Sequence, residues 1–395
     1  MKTTVSPFQK IALFLISLFA SLFILFVLFE IFPEIPSRLN LTSLHYYALK
    51  ERYVKDPDLV LRIKPYYSYK GLFTGDIRGL FSKSSFKPLP YQADYDKNGF
   101  RNRHGENKTD LMVLGDSYME VGLTNEDTFA SYLEEKSGFT TANYGMGWYG
   151  PYQYLEVLKR YGKLNRPDIV LFSFFEGNDL KDILVYQKWR EGGEYYHFNR
   201  YYGNIFQRFG MCLKDIAVKA AKLFVRRWDP RRADIQLGPS AFHTVFVYPV
   251  DSRNTEELKR SSEIEQLRGI LQEFKKHCEQ NGIRPVFLFI PSKAHVYLPY
   301  ASMPAMPKDR LNAQIENRGK LEEAVRQTVE ETQISWISLT PLFETLAKEG
   351  DFLYYETDTH WNTKGRIAAA AQVAASLKTT PETADPQTPA SSAQA

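Results

Sequence analysis

Hydrophobic and polar positions divide the chain into three stretches. Residues 11–29 are uniformly apolar, residues 30–108 show no sustained period, and from Leu111 short apolar runs alternate with helical spacing. Leu111-Met112-Val113-Leu114 predicts a strand ending at Gly115, and four more are expected over 140–144, 168–175, 286–290 and 334–339. The third is apolar on both faces, as a buried parallel strand should be. Phe129, Tyr132 and Leu133 mark one helix face behind Asp127, a suitable cap. Tyr154, Leu155, Leu158 and Tyr161 follow Pro151, which suits a first turn. Ile264, Leu267, Ile270, Leu271 and Phe274 predict another helix. So do Leu311, Ile315, Leu321, Val325 and Val329, and lastly Ile367, Ala370, Ala371, Ala374 and Leu377. Alternating strands and helices imply a three-layer α/β fold with a mostly parallel five-stranded sheet. The expected domain covers 109–378, with an aromatic and arginine-rich insertion at 180–257 and a lead-in at 30–108 packed on it. Residues 379–395 are rich in Thr, Pro, Ala, Ser and Gln and read as a disordered tail.

Residues 11–29 carry no charge and only two serines. At about 1.5 Å per residue they span roughly 29 Å, close to a bilayer core of about 30 Å. Lys2 and Lys10 precede them, which keeps residues 1–10 in the cytoplasm. The rival is a cleaved signal peptide. Its apolar region is shorter, about 7–15 residues, and ends at a small-x-small site. Glu30-Ile31-Phe32-Pro33 offers none. The expectation is a single-pass inner-membrane anchor with the remaining chain in the periplasm.

Composition narrows the classes. The 395 residues are 44 % hydrophobic and 24 % charged, with 50 basic against 46 acidic residues. That is ordinary globular composition, too balanced in charge for a dedicated nucleic-acid binder. Two cysteines, Cys212 and Cys278, exclude a disulfide scaffold, and spacing leaves open whether they pair. His45, His104, His197, His243, His277 and His295 lack metal-ligand spacing, so no metal and no cofactor is expected.

Ligands in such folds sit at the carboxyl ends of the strands. Gly115-Asp116-Ser117 follows the first strand, and residues 143–150, Asn-Tyr-Gly-Met-Gly-Trp-Tyr-Gly, follow the second. Glu176-Gly177-Asn178-Asp179 follows the third and Pro291-Ser292-Lys293 the fourth. Asp358-Thr359-His360-Trp361-Asn362 precedes the last helix. A serine hydroxyl is a weak nucleophile until a base takes its proton, and an imidazole with pKa near ~6.5 suits that task. Ser117, His360 and Asp358 therefore fit acyl transfer, with Asp358 holding the imidazole tautomer. The oxyanion needs preorganised donors. The Ser117 amide, an amide at Gly147 or Trp148, and the Asn178 side chain are the candidates. Each motif alone is an ordinary turn or helix cap; their order at successive strand ends of one sheet is what carries the reading.

These motifs resemble the SGNH (GDSL-type) hydrolase superfamily over residues 94–377. Ser117 looks like its first block, Asn178 its third and His360 its fifth. Asp358, two residues before His360, together with Pro291-Ser292-Lys293 resembles the branch with periplasmic alginate O-acetyltransferases. In the usual fifth block the aspartate stands three before the histidine, where this chain has Thr357. The second block also departs, since its usual glycine falls at Trp148. The resemblance implies a serine esterase or O-acetyltransferase acting on acyl esters of an envelope or exported polysaccharide. Its partners would be the inner membrane and a membrane-bound acyltransferase. Asp116, Lys293 and Trp361 are further candidates for substrate binding.

Other readings compete. A non-catalytic glycan-binding or assembly protein would keep the fold without turnover. Gly145-Met146-Gly147-Trp148-Tyr149-Gly150 also fits a dinucleotide fingerprint, but no acidic residue ends the next strand and Trp148 would crowd the pyrophosphate. Tyr195, Tyr196, Phe198, Tyr201, Tyr202 and Phe206 read as subdomain core or as a platform for sugar rings. Arg226, Arg227, Arg231 and Arg232 read as a solvated basic turn or a site for lipid phosphates.

Overall fold

The computed structural model describes residues 6–32, 52–80, 87–193, 203–225 and 229–379. The expected sugar platform at Tyr195, Tyr196, Phe198, Tyr201 and Tyr202, the basic pair Arg226 and Arg227, and the tail from residue 380 lie outside them. An N-terminal helix, Pro7–Ile31, opens on a capping box in which the Ser6 side chain accepts from the Gln9 amide and the Gln9 side chain answers. It is long and apolar enough to cross a membrane. Phe26 is its one buried residue.

Five strands form the central sheet: Leu111–Gly115, Thr141–Gly145, Ile169–Phe175, Arg284–Ile290 and Ser335–Ser338. Each pairs in parallel, and numbered in chain order they lie 2-1-3-4-5 across the sheet. Side chains of the third strand alternate between two cores. Val170, Phe172 and Phe174 join one hydrophobic cluster, with the helices Pro151–Asn165 and Ser262–Gln280. Leu171 and Phe175 join the other, with Phe129–Ser137, Thr340–Lys348 and Thr363–Thr379. The period of two in a strand thus produces the three layers. Strand order reverses between the first and third strands, and the crevice of such a sheet opens there.

Three elements differ from the sequence reading. The helix expected through Leu311 and Val329 is two, Lys308–Glu316 and Lys320–Glu331. Gly319, at φ +83°, breaks it. Thr340–Lys348 is a helix the pattern did not suggest. The lead-in, read as aperiodic, holds two antiparallel pairs, Tyr53–Asp56 with Val60–Ile63 and Ser68–Phe73 with Leu89–Asp94. Within the insertion, Arg232–Leu237 and Ser240–Val245 form a hairpin. Its Ala233, Ile235 and Leu237 enter the second core. The helix Ile205–Val225 instead meets the N-terminal helix: Phe206 stacks on Phe23, and Phe209 and Cys212 cluster with Phe26. Cys212 and Cys278 are both buried and are not joined in a disulfide.

The last helix is fixed by a buried ion pair. Arg366, with no exposed surface, meets Asp127 at 2.5 Å. Asp127 also accepts from the Leu123 amide, Tyr132 and Thr363. Arg366→Met should cost about 3–5 kcal/mol, because it strands a desolvated carboxylate. Arg366→Met with Asp127→Asn should cost less, since the asparagine keeps an acceptor without the charge. Urea unfolding of the detergent-solubilised chain, compared across both variants, measures the difference.

Candidate active site

Ser117 stands at the turn from the first strand into a short helix, Ser117–Glu120. Asp116 caps that helix through its Oδ1, which accepts from the Tyr118 amide at 2.8 Å. Every residue from Leu111 to Glu120 is buried except Ser117. The turn therefore presents one hydroxyl and hides its neighbours. Gly145 makes room for this turn, because a Cβ there would lie 2.3 Å from the Met119 Cβ.

His360 reaches this hydroxyl from the loop before the last helix. Its Nε2 lies 2.7 Å from Ser117 Oγ, and its Nδ1 lies 2.5 Å from Asp358 Oδ1. With the proton on Nδ1, the imidazole donates to Asp358 and accepts from the serine. Asp358 Oδ1 also accepts from the His360 amide at 2.9 Å, and Oδ2 from the Asp76 amide at 2.8 Å. Tyr118 braces the loop from the serine side. Its hydroxyl donates to the Thr359 carbonyl at 2.8 Å, and its ring centroid lies 5.0 Å from that of the imidazole.

Asp76 is absent from the sequence reading, and its surroundings explain why. No motif marks it, and it comes from the lead-in. Its carboxylate accepts from the Thr359 amide at 2.8 Å and hydroxyl at 2.5 Å. Gly75, at φ +86°, permits the approach, since a Cβ there would meet the Thr357 carbonyl oxygen at 2.1 Å. Asp76, Asp358 and His360 bring ligand atoms within 4.8 Å of one another, the grouping among the described residues closest to a metal set. Its carboxylate oxygens already accept from amides and a hydroxyl, which makes it a hydrogen-bonded relay. Tyr248 is a second omission. Its ring lies against Gly177, where a Cβ would come within 2.7 Å of Tyr248 Cγ, and beside Phe175. It brings a phenol from the end of the insertion to the Asn178 turn.

All three candidates for substrate binding are buried beside the site. Lys293 is buried and donates to the Tyr355 carbonyl at 2.6 Å, the Asp358 carbonyl at 2.6 Å and Thr244 Oγ1 at 3.0 Å. Three acceptors occupy its three N–H groups. Trp361 has no exposed surface and stacks on Phe129. Asp116 is buried too, serving the helix cap.

The oxyanion candidates also divide. The Asn178 Nδ2 donates to Asp182 Oδ2 at 2.5 Å, which uses one of its two amide protons. The Gly147 amide is turned away. It donates to Glu120 Oε2 at 2.6 Å, and Glu120 is buried between Arg52 and Tyr95, each 2.5 Å from its Oε1. The physical reason is that a desolvated carboxylate needs donors, and the Gly147 amide is one of them. Trp148 takes a left-handed φ of +71°, with its ring 5.4 Å from that of Tyr53. The amides of Gly145, Met146, Tyr149 and Gly150 donate to Asn143, Gly115, Met146 and Gln153, so with Gly147 five amides of the glycine-rich turn are already engaged.

Burial opposes a charge on His360, but Asp358, aided by Asp76 and Asp116, outweighs it and holds the imidazole up to about 9. Burial raises Asp358 as well, yet its imidazole and amide partners hold it below the usual carboxylate range. Burial pushes Asp116 up to about 6 and Asp182 up to about 7.

The 2-1-3-4-5 parallel sheet thus brings a serine, a histidine and carboxylates together at its switch point. Residues 250–394 match the family model of the SGNH hydrolase-like domain of the acetyltransferase AlgX. That match includes Asp358 and His360 and stops short of Ser117. No curated protein matches the chain. Among solved structures, the acetyl xylan esterase AlAXEase is similar at 11 % identity over 68 % of this chain and 98 % of its own, with a TM-score of 0.36. An extracellular lipase from Streptomyces rimosus is similar at 13 % identity over 68 % and 99 %, with a TM-score of 0.39. The esterase EstA from Pseudoalteromonas gives 11 %, 68 % and 96 %, with a TM-score of 0.34. At identities this low the likeness adds nothing to the geometry.

The folded His360 pKa of about 9 lies above the ordinary histidine value of about 6.5. The histidine pair therefore adds stability that is complete below 6.5 and lost as pH rises through about 9. NMR of the histidine-labelled chain should give a midpoint near 9 for His360. Asp76→Asn should lower that midpoint, because it removes one of the charges that raise it; an unmoved midpoint would deny Asp76 this influence.

Proposed function

We propose that this chain is a serine acyl-transfer enzyme anchored in the inner membrane, with its catalytic domain outside the cytoplasm. The observation that carries the reading is the continuous Asp358–His360–Ser117 hydrogen-bond relay at the switch point of the sheet. Ser117 Oγ attacks the acyl carbonyl while its proton passes to His360 Nε2. In this reading the Ser117 amide and the Asn178 side chain, once drawn from its carboxylate partners, serve the oxyanion. As the tetrahedral intermediate collapses, the bond to the leaving alkoxide breaks and His360 returns the proton to it. An acceptor hydroxyl then gives its proton to His360 and attacks the acyl-serine; as the bond to Ser117 Oγ breaks, His360 returns the proton to Oγ and the free enzyme is restored. Asp358 keeps the imidazole in the right tautomer and balances its charge throughout. Because the base must be neutral, turnover falls as pH drops through the His360 value.

The acceptor decides between esterase and transferase, as the acyl-serine is common to both. Water is present at about 55 M, so a transferase must hold its acceptor oriented beside His360. The AlgX-type match in the C-terminal part and the Asp358-Thr359-His360 spacing support transfer of acetyl to a polysaccharide hydroxyl. Tyr248 gives the site an aromatic wall suited to a sugar ring. The N-terminal helix supports anchoring, with Lys2 and Lys10 favouring a cytoplasmic N-terminus. An anchored enzyme would stand near a membrane-bound acyltransferase that passes acyl groups outward.

A fluorophosphonate probe should label the wild-type chain and leave Ser117→Ala unlabelled. Labelling that persists in the variant would put the nucleophile elsewhere, and no labelling of either would favour the non-catalytic glycan-binding reading. With an activated acetyl donor and a glycan acceptor, acetylated sugar should exceed free acetate. Free acetate alone, across acceptors, would make the enzyme an esterase.

A further inference from the structure

The helix Ile205–Val225 packs on the N-terminal helix along one side and exposes apolar residues along another. Ile205, Phe209 and Cys212 lie against Phe19, Leu22, Phe23 and Phe26 of the N-terminal helix, in a cluster apart from both cores of the catalytic domain. Arg208 meets Glu30 at 2.8 Å, at the end of the apolar run. A second face carries Phe206, Gly210 and Ala217 at the i, i+4, i+11 spacing of one helix side, with Leu213 at its edge packed against the N-terminal helix cluster. Phe206 is 70 % exposed, Gly210 and Ala217 are exposed, and a Cβ on Gly210 would meet nothing. None of Phe206, Gly210 and Ala217 is charged, and the exposed Lys214 lies at the edge of this side.

We propose that this helix lies half-sunk in the surface of the bilayer that the N-terminal helix spans, in the leaflet away from the N-terminus. The inference rests on the anchor reading above and goes beyond it. Continuity is the first argument. The Phe206 ring stacks on Phe23, so the exposed apolar face runs without a break into the exposed apolar surface of the anchor, where Phe19 is 56 % and Ile24 60 % exposed. Whatever medium covers one covers the other. Depth is the second. Phe23 lies seven positions before Glu30 in the sequence. At about 1.5 Å per residue that is roughly 10 Å below the end of the apolar run, near the depth at which interfacial helices ride. Charge is the third. Lys214 is exposed, and Lys219, Lys222, Arg226 and Arg227 follow in sequence against the single acidic residue Asp215. Such a run suits anionic lipid headgroups. The helix would then fix the tilt of the catalytic domain over the membrane, which one anchor crossing alone leaves free to swivel.

The test uses the full chain, with Cys212 and Cys278 replaced by serine, in vesicles of phosphatidylcholine and phosphatidylglycerol. A single environment-sensitive fluorophore is placed at Ala217→Cys, or at Ser21→Cys in the anchor. The label at 217 should lose emission to a lipid-borne quencher near the headgroups, lose less to one deep in the acyl chains, and resist aqueous iodide. Quenching by iodide instead would place the helix in water and overturn the proposal. Protection from both quenchers would mean that a protein covers this face, which also overturns it. Stronger quenching from the deep probe would make the helix a second span rather than an interfacial one. Failure of lipid quenching at position 21 would sink the anchor reading itself, and so is told apart from failure at 217.

Discussion

A buried ammonium holds the acid–base loop from beneath. The Lys293 Nζ donates to the carbonyls of Tyr355 and Asp358 and to Thr244, joining the fourth strand's end, the insertion hairpin and the loop that carries His360. A loop of irregular backbone brings carbonyls into the interior that no ladder satisfies, and each needs a donor. Burial lowers Lys293 to about 8, against the pull of Asp358 and Asp76, so near neutral pH it keeps most of its charge. The triad acid is thus set by its backbone as much as by its side chain. Removing the ammonium would leave several acceptors unpaired at once, which is costlier than losing one hydrogen bond.

The lead-in is a working part of the same arrangement. It supplies Asp76 to the outer side of the 357–359 loop and Arg52 to Glu120, which in turn holds the Gly147 amide. Both contacts pair a charged or polar group from outside the α/β domain with a turn beside Ser117. The two turns that flank the serine are therefore clamped from the same segment of chain.

Much of this architecture was legible in the sequence, and the reasons differ by residue. The first, third and fourth strands stood out as apolar runs of strand length ended by Gly or a polar turn, and the mixed second and fifth by their place in the strand–helix alternation. Ser117, Asn178 and His360 stood out because their short motifs fall at strand ends. Gly147 was misread because its motif says where the backbone passes, not which way the amide points. The direction was set by Glu120, whose partners lie far off in sequence. Lys293 and Trp361 belong to the motif segments, yet packing hides both. Asp76 left no trace, because its role depends on Gly75 letting one loop approach another across 282 positions. The split at Gly319 was hidden by apolar spacing that continues across the break.

That long separation governs when the site can exist. Asp76 to Asp358 spans 282 positions and Ser117 to His360 spans 243. Contacts so remote close late in folding, after local helices and hairpins have formed. A chain emerging N-terminus first carries its serine early and its base near the end, with the sheet's fifth strand arriving in between. No nascent fragment ending before His360 holds the relay. Synthesis order itself thus acts as a safety catch, keeping the nucleophile unactivated until the 243 positions that separate it from His360 have been made.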